Sequence, residues 1–195
     1  MARVGLSYPR YAKYNNNGGT ITYTDGGSLG KAISLDLTVD GADDNILYAD
    51  NAPAESASNF AGGSVKIGTD DLYDDAAVDI LGWGVKELTE PEKVKEIIRK
   101  AGAVAPYIGV GGIIKHIRSG KTVWTGLIVT KVQFMDPGIS VTTQGETIDW
   151  QTPEIEGNVM RDDSEDEVWC RQATFSTEAF AKAYIDSILV PKASV

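Results

Sequence analysis

Gly120-Lys121-Thr122 has the ending of a phosphate-binding loop, in which backbone amides cradle phosphates and a lysine reaches the terminal ones. The full motif needs a glycine five residues before Gly120, where Lys115 stands, and a helix after it, where Thr122 opens a β-rich run. A hairpin turn accounts for these residues better. Gly109-Val110-Gly111-Gly112 lacks the third glycine of a dinucleotide fingerprint, because Ile114 occupies that place. Close backbone packing or a bulge is the expectation there. His116 and Cys170, the single histidine and single cysteine, are the one pair able to act as base and nucleophile, yet no nucleophile elbow or third orienting group accompanies them. Asp162-Asp163-Ser164-Glu165-Asp166-Glu167 invites a cation. A helix-loop-helix calcium site would want glycine sixth and glutamate twelfth, where Glu167 and Ala173 stand, so an acidic solvated turn is expected. Trp83, Trp124, Trp150 and Trp169 each lie in apolar surroundings that suit packing more than a sugar platform. No catalytic constellation, metal site or cofactor site emerges, and enzymatic activity is not expected.

The chain of 195 residues carries 28 acidic and 18 basic side chains, a formal net charge of −10. That length reads as a single domain over residues 1–195, and 42% hydrophobic residues suffice for a core. The acidity argues against a cationic nucleic-acid binder. One cysteine excludes an intrachain disulfide and a thiolate-rich metal site. No basic and apolar leader opens the chain, and the longest uncharged run, residues 101–114, is too short and glycine-broken to span a bilayer. The charge is concentrated: Asp36 to Asp79 holds eleven acids and one base, Lys66, which accounts for the whole −10.

The elements follow from the periodicity. Ile33, Leu35, Leu37 and Val39 alternate with Ser34, Asp36, Thr38 and Asp40, which reads as a strand with one buried and one wet face. Upstream, Thr20 to Thr24 is β-branched and aromatic, and Asp25-Gly26-Gly27 supplies hairpin chemistry. Residues 40–63 read as a long loop around one apolar island, Ile46-Leu47-Tyr48. Val65 and Ile67 resume a strand with both side chains inward. From Asp70 to Trp83 the period becomes helical, with Asp70 or Asp71 as cap, Ala76, Ala77, Ile80 and Leu81 as the apolar side and Gly82 as the stop. Thr89 to Ala101 fits a capped helix slightly better than a hairpin turning at Glu90-Pro91-Glu92. Val104 to Arg118 and Lys121 to Phe134 are long β runs joined at Ser119-Gly120. The second is apolar on both faces, with Trp124, Ile128, Val132 and Phe134 on one, so it must be covered from both sides. Strands are expected at 154–160 and 168–174. A closing helix is expected at about 177–189, with Phe180, Tyr184 and Ile188 as its apolar stripe.

Gly30-Lys31-Ala32-Ile33-Ser34-Leu35-Asp36 is followed by Asn45-Ile46-Leu47-Tyr48-Ala49-Asp50-Asn51-Ala52-Pro53. Further along come Val65-Lys66-Ile67-Gly68-Thr69-Asp70-Asp71-Leu72, then Val104-Ala105-Pro106-Tyr107-Ile108-Gly109, then residues 145–157 and 175–189. In this order the segments resemble the major tail protein (tail tube protein) family of long-tailed, non-contractile bacteriophages, over almost the whole chain. Residues 84–102 depart most from the family pattern, and the likeness leans them toward the hairpin.

The resemblance implies a mainly β, α+β chain: a β-sandwich or barrel of the tail-tube type with a flanking helix, a long stacking loop and a C-terminal helix. It implies a structural virion protein, polymerised in the host cytoplasm as stacked hexameric rings that form the tail tube for genome delivery. Its partners would be other copies of itself, the tape measure protein, the tail terminator and the distal tail or baseplate proteins. Phage DNA would pass through without specific binding, and no cofactor or membrane is implied. The loop residues Asp43, Asp44, Ile46, Leu47, Tyr48, Asp50 and Asn51 would stack rings. Asp36, Asp40 and Lys66 would face the lumen, and Trp124, Ile128, Val132 and Phe134 would carry an inter-subunit sheet. The remaining alternatives are a secretion-type tube protein and a β-sandwich carbohydrate- or receptor-binding module. Leu47→Asp or Tyr48→Ala is expected to abolish tubes seen by electron microscopy while leaving the circular-dichroism spectrum of the subunit unchanged. Tubes of normal length from either variant would remove the stacking role.

Overall fold

A computed structural model describes residues 2–41, 45–49, 52–57, 60–139, 141, 143 and 152–190, with only the backbone described at 2, 45–49 and 52–57. Strand β1 (Ala2–Asn17) turns at Gly18-Gly19 into β2 (Thr20–Ser28). Both glycines hold positive φ, 62° and 91°, as a two-residue hairpin turn between right-twisted strands requires. The Asn16 side chain accepts the Gly19 amide at 2.8 Å, which fastens the turn. Asp25-Gly26-Gly27, expected to make the hairpin, instead lies within β2 opposite a register shift between Tyr11 and Lys13.

Strands β3 (Ala32–Gly41) and β6 (Phe60–Thr69) pair antiparallel. Between them the expected long loop contains β4 (Asn45–Ala49) and β5 (Ala52–Ala57), paired as a separate two-stranded sheet. Helix α1 (Asp74–Leu81) buries Ala76, Ala77, Ile80 and Leu81 and ends at a left-handed Gly82, as the sequence indicates. Its N-cap is Tyr73, which makes no side-chain cap bond. Asp70 is occupied elsewhere, as described below.

Residues 84–98 form a hairpin, not the slightly favoured helix: β7 (Gly84–Leu88) pairs with β8 (Val94–Ile98). Lys86 stands opposite Glu96 and Glu87 opposite Lys95, and Ile97 packs on the core. Just beyond β8 the Arg99 guanidinium lies 4.0 Å over the Trp83 ring, and both residues bind the Asp136 carboxylate, at 3.1 and 3.0 Å. These contacts join residues distant in sequence, and they outweigh a small local helical preference.

The main sheet is centred on β9 (Tyr107–Arg118) and β10 (Lys121–Phe134). Its order is β2-β1-β9-β10-β11-β6-β3, where β11 is Glu154–Met160. β12 (Cys170–Phe175) shares the second edge of β10 with β11: Trp124 to Val129 pair with β12, and Lys131 to Phe134 with β11. A register shift between Val129 and Val132 reverses the facing of β10. Ile128 therefore packs in the cluster under the C-terminal helix α2 (Glu178–Leu189), while Val129, Val132 and Phe134 join the cluster with α1. The expected single face of Trp124, Ile128, Val132 and Phe134 is split by this bulge.

Helix α2 is capped by Thr177, whose hydroxyl accepts the Phe180 amide at 3.4 Å. It buries Ala181, Ile185 and Leu189, whereas Phe180 is 59% exposed. The stripe is thus one residue from the expected Phe180, Tyr184 and Ile188. The reason lies beneath it: Gly109, Gly111 and Gly126 lower the sheet surface, and the helix settles close enough to present its smaller side chains. A Cβ on Gly109 would stand 2.4 Å from the Tyr23 ring and 2.9 Å from Leu189. Gly109→Ala is expected to lower unfolding stability by about 1–3 kcal/mol, as overpacking does. Chemical denaturation measures it, and an unchanged midpoint would show that α2 does not sit on this strand.

Candidate assembly surface

The chemistry-bearing residues do not converge. His116 pairs across β9–β10 with Val123, and Cys170 pairs across β10–β12 with Val129. Six residues along one strand separate these levels, about 20 Å, so the two cannot form a dyad. Burial also pushes the Cys170 thiol above its usual value, which keeps it protonated. Ser119 and Gly120, at φ 50° and 76°, make the two-residue turn expected between β9 and β10. Gly109 and Gly111 serve close packing, as above.

The acidic turn is more than solvated surface. Asp162 is buried, and its Oδ1 accepts the amides of Ser164 and Val168 at 3.2 and 3.0 Å, closing the loop that precedes β12. Asp163 binds Lys131 at 2.7 Å and accepts the Tyr14 hydroxyl at 2.8 Å. The Lys131 ammonium holds the Asp163 carboxyl below its usual value, and burial, aided by the Asp163 carboxylate and opposed by the hydrogen bond from the Asp163 amide, pushes Tyr14 up to about 12. Among the described residues no group of three or more His, Cys, Asp or Glu is placed to hold a metal ion. Trp83 is clamped by Arg99 and Asp136, Trp124 packs near α2, and Trp169 stacks on Phe60 at 4.7 Å. Trp150 lies outside the described residues.

What the fold does assemble is a polar sheet face beside an open edge. Asp36 stands opposite Lys66, and Lys66 opposite Glu156, in one row across β3, β6 and β11. Lys66 bonds Glu156 at 3.3 Å. Asp40 lies farther along β3 opposite Gly62. Val65, Ile67 and Ile155 are buried on the other side of this layer. With Glu154 the face carries four acids and one base.

Among the described residues, strand β3 is the last in its end of the sheet and pairs only with β6. That position limits the burial expected of it: Leu35 and Leu37 pack on the core, but Ile33 and Val39 are 54% and 46% exposed. Six consecutive β3 residues, Ile33 to Thr38, line a groove of about 760 Å³. Neighbouring strand residues face opposite ways, so the groove follows the unpaired edge of β3 and not one of its faces. Its opposite wall is built from Leu6, Ile114, Leu127 and Trp169, with Arg3 at the rim and Cys170 within. This wall is not legible in the sequence, because its residues come from β1, β9, β10 and the segment before β12.

The expected inter-subunit sheet residues are placed differently. Both edges of β10 are paired within the chain, and Ile128, Val132 and Phe134 are almost fully buried in its own two clusters. Trp124 is half-buried and packs on the α2 cluster. A strand without a free edge cannot extend a sheet into a neighbour, so these four residues serve the chain's own core. Of the expected stacking residues, Ile46, Leu47 and Tyr48 lie on β4, and Asp43, Asp44, Asp50 and Asn51 fall outside the described residues.

One carboxylate fixes the open edge to the body. Asp70, just after β6, accepts the Lys31 amide at 2.7 Å and the Asp71 amide at 2.9 Å, tying the start of β3 to the entry of α1. The Lys31 amide is the main reason its carboxyl is held below the ordinary 3.8. A carboxyl depressed on folding contributes stability above its unfolded value, lost as pH falls through the folded one. Asp70→Asn is therefore expected to reduce the loss of stability between pH 7 and pH 3, read from urea titrations at both. An equal loss in variant and wild type would remove Asp70 from the acid response. No protein-family model matches the chain, and no curated protein matches it.

Proposed function

We propose that this chain is a tail tube subunit of a long-tailed phage, a structural protein that polymerises as stacked rings around a DNA conduit. The observation that carries the proposal is the pairing of two features on adjacent segments. A sheet edge, β3, is left unpaired, and the β4–β5 hairpin leaves the sheet between β3 and β6. An open edge is a ready template for another chain. An isolated two-stranded hairpin is marginal in water and gains stability when another surface covers it. Together they supply an acceptor edge and a donor segment, the two halves of a contact that can repeat from copy to copy. The serial resemblance of segments from Gly30 to Leu189 supports the same reading.

In this reading the face bearing Asp36, Asp40, Lys66, Glu154 and Glu156 lines the lumen. Its net negative charge repels the DNA backbone and lowers adhesion to the wall. The tape measure protein would occupy the same channel before DNA, and terminator and baseplate proteins would close the ends. The wider acidity of Asp36 to Asp79 keeps free subunits apart by like-charge repulsion.

Negative-stain electron microscopy of the purified protein tests the proposal directly. Rings or hollow tubes are expected, and their amount is expected to rise as salt is raised from about 0.01 to about 1 M, a range that shortens the screening length from about 30 to about 3 Å. Salt-independent assembly would remove the repulsion argument. A discrete monomer at all concentrations, especially one that binds glycans, would overturn the tube itself.

A further inference from the structure

The groove beside β3 has features of a strand-receiving site. One wall is the unpaired backbone edge of Ile33 to Thr38, so main-chain donors and acceptors are available along six residues, about 20 Å. The other wall mixes apolar Leu6, Ile114, Leu127 and Trp169 with polar Arg3, Cys170 and Gln172. Ile33, at the register shift between Ala32 and Ser34, is 54% exposed at the groove. Peptides that bind by strand addition use this combination: backbone pairing for affinity and an apolar trough for alternate side chains.

Charge indicates what enters. Arg3 lies at the rim, and the adjoining β9–β10 end carries Lys115, Arg118 and Lys121. Arg3 pairs in register with His116, and Arg118 with Lys121, which places all four bases at one end of the sheet. None of them forms an ion pair among the described residues. The β4–β5 arm is the complement. Residues 42–59, after β3, hold four acids, Asp43, Asp44, Asp50 and Glu55, and no base, around the island Ile46-Leu47-Tyr48. The arm forms a sheet of its own whose outer edges pair with no other strand among the described residues, and β4 spans five residues against the six of the groove.

We propose that the groove between β3 and the Leu6–Ile114–Leu127 wall receives the acidic β4–β5 arm of a second copy of this chain, with Arg3 and the β9–β10 end drawing in its carboxylates. The inference rests on the tube reading and specifies which surface of one subunit takes the arm of the next. It makes the groove a part of the assembled particle and leaves the isolated subunit with an unfilled seam.

Cys170, the only cysteine, lies in the groove and serves as its reporter. Maleimide labelling of Cys170 is expected to be at least tenfold slower in tubes than in free subunits, with microscopy of the same samples confirming which state is present. In an Ala49→Cys variant, a short bismaleimide is expected to link the introduced thiol of one copy to Cys170 of another. That gives dimers and a ladder on a denaturing gel that vanish when Cys170→Ser is added. Arg3→Glu with Lys121→Glu is expected to reduce tube yield at least tenfold, and Asp43→Lys with Asp44→Lys to restore part of it. Tubes whose Cys170 labels as fast as that of free subunits would overturn the groove assignment while leaving the tube reading standing. Cross-links confined within single chains would show that each arm fills its own groove, which also overturns it. Protection without cross-links would assign the groove to a different segment and overturn the arm. Absence of tubes under every condition would remove both readings together.

Discussion

The fold depends on one strand pair, β9 and β10, being covered on both faces by the chain itself. Ile113 and Ile128 are sealed under α2, and Val110 and Val129 are sealed on the opposite side toward α1, β6 and β11. A strand buried on both sides is costly to expose and leaves no freedom of register, since a one-residue slip would exchange its two apolar sets. The other main strands are arranged around this pair. β1 and β2 extend one edge, β12 and β11 divide the other, and β11 leads through β6 to β3. The glycines at 109, 111 and 126 permit the arrangement by letting Tyr23, Leu189 and Tyr184 approach the strand backbone.

From this central constraint the exposed chemistry follows. Because β10 has both its edges paired within the chain, the free hydrogen-bonding groups of the sheet are displaced to its margins, β2 at one end and β3 at the other. At β3 the outward residues are acidic and the inward ones only half covered, and the arm departs from the same margin. The clusters away from this margin are structural ties. Lys131 sits between Asp163 and the rings of Tyr14 and Tyr107, at 5.2 and 4.7 Å from their centres. Lys13 bridges Asp79 and Asp25, and Tyr11 donates to Asp79 at 2.9 Å. The Asp79 hydrogen bond holds the Lys13 ammonium pKa up, so the Lys13 contribution is present through neutral pH and is lost as alkali removes its proton.

Several elements were legible before any fold was considered, and for definite reasons. Val65 and Ile67, α1 from Asp74 to Leu81, β11 and the Ser119-Gly120 turn each obey a local rule of alternation, helical period or turn chemistry. Strand β1 disobeys them. Its register shifts twice against β9, between Arg3 and Gly5 and between Ser7 and Arg10, and Tyr8 takes a positive φ of 59°. Tyr8, Tyr11 and Tyr14 therefore recur every three residues, and no alternation survives to be read. The stripe of α2 was ambiguous in a different way: Phe180-Tyr184-Ile188 and Ala181-Ile185-Leu189 have the same spacing, and only the low glycine surface beneath selects the second. The groove was invisible because its walls come from five strands and the segment before β12.

The sequence by itself determined a mainly antiparallel β chain closed by a C-terminal helix, a concentration of acid between Asp36 and Asp79, and the lack of a contiguous catalytic motif. These are properties of nearest neighbours and composition, which act within a few residues. Only the tertiary structure decided that 84–98 is a hairpin, that the segment after β3 pairs with itself, that β10 is internal, and that β3, like β2 at the other end of the sheet, is an edge strand. Those outcomes depend on which surfaces bury one another and which backbone edges run out of partners. Burial and pairing of that kind reach across the chain, from Arg99 to Asp136 beside the 84–98 hairpin to pairs more than a hundred positions apart, such as Tyr23 and Thr130 or Tyr8 and Asp186.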